Sequence, residues 1–122
     1  MASFPGTSTE RQQTGTKAEE DALTFLQEQG LTPVTRNFRC RFGEIDLIMQ
    51  EGKTLVFIEV RKRKNRLYGG AVASITPAKQ QKIIKTAYFF LQRYKTLPAC
   101  RFDVVAWDGN ECQWLKNTIE VT

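Results

Sequence analysis

At 122 residues and 14.0 kDa the chain supports one modest hydrophobic core and is too short for two. Hydrophobic residues at 41% and charged residues at 25% are the proportions of an ordinary water-soluble domain. The chain has no apolar run near the ~20 residues that span a bilayer and no basic-then-apolar leader, so a cytoplasmic location without a membrane partner is expected. There is no histidine, which excludes Ser-His-Asp and Cys-His hydrolases, histidine-base nucleases and most zinc enzymes. Cys40, Cys100 and Cys112 form no CxxC pair and leave an odd count, so neither a disulfide framework nor a zinc site is expected. The net charge of +5 and pI near 9.3 favour a polyanionic partner.

Residues 1–16 are rich in Ser, Thr, Gln and Gly without apolar periodicity, and read as a mobile polar tail before a single domain over 17–122. Ala18, Ala22, Phe25 and Leu26 recur at helical spacing between Lys17 and Gln29, and Gly30 stops that helix. Pro33 to Cys40 and Arg41 form a strand whose Arg-rich alternation suits an edge. Two strands follow, Gly43–Met49 and Thr54–Arg61, and after them Tyr68-Gly69-Gly70 marks a loop. Thr76-Pro77 opens a second helix, with Thr as N-cap and Pro at the first helical position. Its stripe of Gln80, Ile83, Ile84, Ala87, Leu91 and Tyr94 runs to about Tyr94. Arg101–Trp107 and Glu111–Lys116 are strands joined by the turn Asp108-Gly109-Asn110. Val104 and Val105 are adjacent apolar residues, so the fourth strand is expected inside the sheet beside a parallel neighbour. The order is α-β-β-β-α-β-β, an α/β domain with a central mixed five-stranded sheet flanked by two helices.

The chemistry lies in the hairpin of Gly43–Met49 and Thr54–Arg61. With Glu51-Gly52 as a two-residue loop, Met49 pairs with Thr54, Asp46 with Phe57 and Glu44 with Glu59. Glu44, Asp46, Glu59 and Arg61 then share one face, where opposed like charges need a compensating cation. Two explanations are open. Arg41, Arg61 and Arg63 can pair with the acids as structural ion pairs. Alternatively, Asp46, Glu59 and the Val60 carbonyl hold magnesium or manganese, which permits phosphodiester hydrolysis without histidine. The basic run Arg61, Lys62, Arg63, Lys64 and Arg66 is either a solvated strand end or a phosphate-binding surface. Trp107 and Trp114 read as core or sheet-face residues.

Gly43-Glu44-Ile45-Asp46-Leu47-Ile48, Phe57-Ile58-Glu59-Val60-Arg61-Lys62-Arg63, Lys79-Gln80 and Arg101-Phe102-Asp103-Val104-Val105, together with Gly15-x-x-x-Glu19-x-x-Ala22, resemble the YraN family of bacterial proteins. The resemblance covers almost the whole chain after the tail. It implies a restriction-endonuclease-like, PD-(D/E)xK fold, with archaeal Holliday-junction resolvases as the nearest functional relatives by pattern. By that resemblance Asp46 is the metal-binding aspartate, Glu59 the second acid, Glu19 the helix-borne acid and Gln80 the polar residue of the second helix. Glu44 belongs to the motif without a role in the nuclease pattern. Where the pattern has lysine, this chain has Arg61, which stays charged and cannot serve as a base. Lys62 points to the other face, and Lys79 can approach from the second helix.

The implied function is a metal-dependent endonuclease acting on DNA, including branched DNA. Two-fold cleavage usually requires a dimer, so a second copy is a candidate partner. The alternative is a non-catalytic nucleic-acid-binding or adaptor module on the nuclease fold, and a protein-interaction scaffold is a third reading.

Overall fold

A computed structural model describes residues 10–62 and 75–119. The order is α1 (Glu10–Glu28), β1 (Thr32–Cys40), β2 (Gly43–Glu51), β3 (Thr54–Lys62), α2 (Pro77–Leu91), β4 (Ala99–Asp108) and β5 (Glu111–Leu115). The five strands form one sheet in the order β1-β2-β3-β4-β5, antiparallel throughout except for the parallel pair β3–β4. The expected arrangement is therefore present, with β4 internal and parallel to the strand that α2 connects to it. β1 lies at the edge, where Pro33 and a register shift between Pro33 and Thr35 interrupt the ladder. Such irregularities discourage further strand pairing at an open edge.

Two apolar layers enclose the sheet. Leu47, Met49, Val56, Ile58 and Val105 pack with Ala22 and Leu26 of α1. Ile48, Leu55, Phe57, Phe102 and Val104 pack with Ile83, Ala87 and Phe90 of α2. Thr76 caps α2 as its sequence predicts, its hydroxyl accepting the Lys79 amide at 3.2 Å. The helix closes at Leu91, and turn bonds carry the chain on to Tyr94. Phe90 and Thr86 join the buried face although the sequence stripe omits them. Trp107 and Trp114 line the α1 layer, with the Trp107 indole donating to the Ala18 carbonyl.

The start of α1 and the closure of the hairpin also differ from expectation. Helix α1 starts at Glu10 and so takes in residues 10–16 of the expected tail. Extending a packed helix costs less than nucleating one, so polar residues join it without an apolar stripe. The hairpin turn is Gly52-Lys53, closed by Glu51 opposite Thr54, so Met49 pairs with Val56 instead of Thr54. Gly52, at φ 60°, supplies the positive φ that primed hairpin turns demand, and the Gln50 amide braces the turn through the Gly52 carbonyl.

Candidate metal and phosphate site

The strand alternation fails at one point, and the acids gather there. Leu47 and Met49 face α1, so strict alternation would send Ile45 the same way, but Ile45 packs in the α2 layer. On the neighbouring strand Asn37 takes φ 50°, outside the β region. The β2–β3 ladder ends at Leu47 opposite Ile58, just before Asp46 and Glu59. Released from the ladder, Asp46 turns its side chain toward β3 and accepts the Val60 amide on Oδ2 at 2.8 Å. Val60 N–H and C=O point to the same side of an extended strand, so the carbonyl also faces the gap that β2 has left.

Glu59 lies across from Asp46 and is 6% exposed. Its pKa is pushed up to about 9, first by burial, then by the Asp46 charge and a hydrogen bond with Asp46. At neutral pH the pair therefore keeps a proton between its oxygens. The register correction preserves this meeting: Asp46 is opposite Glu59 rather than Phe57, and both registers put Glu59 on the α2 face. The reason is that the slip is an even number of residues, which leaves side-chain parity unchanged.

Glu19 approaches Asp46 from α1. Its pKa rises to about 7 through burial and the Asp46 charge, with a smaller opposing effect from an Asn37 hydrogen bond and the Arg36 charge. Glu44, expected beside Glu59, is instead exposed, and its Oε2 takes the Arg39 Nε–H at 2.9 Å. Because alternation breaks at Asp46, Glu44 sits on the α1 side, where its charge contributes to the Glu19 shift. The sequence reading missed Arg36 and Asn37. Asn37, of a residue type depleted in strands, was their one legible signal.

Arg61 follows Glu59 on the same face, with Nη2 3.9 Å from Glu59 Oε1, too far for a hydrogen bond. Among the described residues, its buried Nε and Nη2 have no hydrogen-bond partner, and neither does Arg36 Nε. Lys79 is near enough to oppose the rise in the Glu59 pKa. Gln80 is half-buried, and its amide donates to the Ile75 carbonyl at 3.1 Å. Lys62 is exposed, whereas Arg63, Lys64, Arg66 and the Tyr68 loop lie outside the described residues. Arg41 stacks on Phe42 at 4.9 Å. Of the arginines considered as structural partners of the acids, Arg61 is therefore the one described beside them.

No group of three Asp, Glu, Cys or His side chains suited to caging a metal occurs among the described residues. What converges is a pair of carboxylates, a strand carbonyl and a guanidinium with unused donors. Other features stand apart. Asp103 is 2% exposed and fully engaged, accepting from Arg101, the Trp114 indole and the Asn117 amide. A cavity of about 440 Å³ between α2 and β4 is lined by Phe57, Tyr88, Leu91 and Leu97 and shares no residue with the acidic site.

Residues 18–107 match the family described as "Uncharacterised protein family UPF0102". A UPF0102 protein of Herminiimonas arsenicoxydans is 60% identical over 112 residues, covering 92% of this chain and 90% of that protein. Another, from a Janthinobacterium strain, is 52% identical over 120 residues and 98% of both chains. Among solved structures, the Holliday junction resolvase Hjc of Archaeoglobus fulgidus superposes with a TM-score of 0.55 at 22% identity, over 89% of this chain and 78% of that one. At that identity the likeness establishes the restriction-endonuclease-like fold.

Proposed function

The chain belongs to the UPF0102 family, and from that premise and its resolvase-like fold we propose a divalent-metal-dependent endonuclease acting on branched DNA. One observation carries the reading: two carboxylates, Asp46 and Glu59, are pressed together beside an arginine with two donors that no described residue uses. The donor set fits magnesium or manganese. Asp46, Glu59 and the Val60 carbonyl offer hard oxygens, and a proton now does the neutralising that a cation would do. When bound, such an ion polarises a phosphodiester and lowers the pKa of a coordinated water.

The remaining work falls to the chain. The Val60 amide holds Asp46 in aim. Arg61 presents Nε and Nη2 to phosphate oxygens, and Lys79 adds positive charge from α2. Arg61 cannot accept a proton. Glu19, with a pKa near 7, can take one on its carboxylate and release it at neutral pH. We assign further phosphate contacts to the basic run Lys62, Arg63, Lys64 and Arg66 on its sequence alone, and a dimer would address both strands of a junction.

Arg61 in the lysine position also favours a second reading, a non-catalytic module that binds nucleic acid on the same fold. Cleavage of four-way, single-stranded and duplex DNA with magnesium or manganese separates the two. Wild type is expected to cleave the four-way substrate, and Asp46→Asn to lose about 100-fold or more, the scale of removing a preorganised charge-stabilising group. Equal cleavage by the variant would remove Asp46 from the site. No cleavage by wild type, with salt-sensitive binding, would support the binding module.

A further inference from the structure

From Val60 to Phe102 the sequence contains no Asp or Glu, so all of α2 and its flanks are free of negative side chains. Lys82, Lys85 and Phe89 of α2, and Arg93 in the turn that follows it, recur at spacings that place them on one flank, and all four are exposed. That flank abuts the β1–β2 turn. A Cβ at Gly43 would lie 3.2 Å from Thr86 Oγ1 and 3.7 Å from Lys82 Cβ, and the rings of Phe42 and Phe89 are 6.2 Å apart, edge to face. Arg41 covers Phe42 at 4.9 Å, and Arg93 covers Phe90 at 3.9 Å and Phe38 at 5.6 Å. Phe89 itself is 45% exposed, a large ring kept in water among cations.

We propose that this flank is a track for unpaired nucleotides, with Phe89 as the stacking platform, Phe42 beside it, and Lys82, Lys85, Arg93 and Arg41 as phosphate contacts. Aromatic rings interleaved with cations are what single strands need, because every base has a face to stack and every linkage a charge to meet. The geometry also gives the track a direction. α2 begins at the Lys79 end beside Glu59 and carries the stripe away from it, so a strand leaving the acidic site would run along this flank. Direction rests on the nuclease reading of that site, whereas the binding itself does not.

The test is fluorescence anisotropy in EDTA with a labelled oligothymidylate and an abasic strand of equal length. Wild type is expected to hold the oligothymidylate more tightly. Phe89→Leu keeps apolar volume against Phe38 and Phe42 but removes the ring. It should weaken oligothymidylate binding about tenfold, the scale of one lost stacking contact, and leave the abasic strand unchanged. Lys82→Gln with Lys85→Gln should weaken both strands equally and flatten the salt dependence. Equal binding of the two strands by wild type, or an unaltered oligothymidylate affinity in Phe89→Leu, overturns the track. A shift from dimer to monomer in Phe89→Leu with strand binding intact would do the same, marking the flank as a contact between copies. Since no metal is present, a failure of cleavage leaves this result standing, and a failure here leaves Asp46 and Glu59 as they were.

Discussion

Asp46 accepts the Val60 amide across a ladder that has just ended, at 2.8 Å. A β3 backbone donor that faces β2 is thereby spent on a side chain, and that bond fixes one carboxylate oxygen before any ligand arrives. The other consequence is electrostatic. Held in this position, Asp46 cannot retreat from Glu59, so the cost of two neighbouring charges falls on the Glu59 proton equilibrium.

That equilibrium makes stability depend on pH. Glu59 titrates near 9 in the folded, metal-free protein instead of at its ordinary 4.5, so between those values the folded state holds a proton that the unfolded chain releases. Stability therefore falls as pH rises from about 5 to about 9 and levels off beyond. Glu19 adds to the decline up to about 7. Glu59→Gln, neutral at every pH, should flatten most of the slope. Melting temperatures in EDTA across this range provide the check, and a flat wild-type profile would rule out the raised Glu59.

Metal should reverse the cost. Magnesium or manganese that binds only the folded state raises the melting temperature, and more so at higher pH, where the bridging proton leaves more readily. Asp46→Asn should abolish that rise and, by relieving repulsion, raise the metal-free melting temperature by a few degrees, about 1 kcal/mol. If the acids were only ion-paired structure, the same variant would be less stable and indifferent to metal.

Arg61 distinguishes phosphate binding from base catalysis. Arg61→Ala should weaken DNA binding and cut cleavage by about 100-fold, while Arg61→Lys should keep cleavage within about tenfold because a point charge still meets the phosphate. Full activity in Arg61→Ala would show that its unused donors serve no substrate.

Gly43 tests the packing under the site. It has φ 151°, and an added Cβ would press on Thr86 Oγ1, whose hydroxyl already donates to the Lys82 carbonyl at 2.7 Å. Gly43→Ala should destabilise by about 1–2 kcal/mol in urea denaturation. Unchanged stability would mean that β2 can slide away from α2 at no cost.

Asp103 is the acid whose role is structural. Its carboxylate joins β4, β5 and, through Arg101 and Glu51, the hairpin turn. Asp103→Asn leaves the Arg101 guanidinium poorly compensated and should cost about 3 kcal/mol or more. The metal-induced rise in melting temperature should survive it, and loss of that rise would connect this network to the site.

The sequence by itself determined the element order, the internal parallel position of β4, the Thr76-Pro77 helix start and the meeting of Asp46 with Glu59. These follow from short-range physics: period-2 and helical patterning, turn and cap chemistry, and a face parity that survives an even slip of register. Only the tertiary structure decided where the hairpin closed, that alternation breaks at Asn37 and Asp46, and that Glu44 pairs with Arg39. It alone brought Glu19 against Asp46 and set the basic flank of α2 beside Phe42. Those features depend on elements far apart in the chain packing on both faces of one sheet, where burial and charge are set by neighbours that no local pattern names.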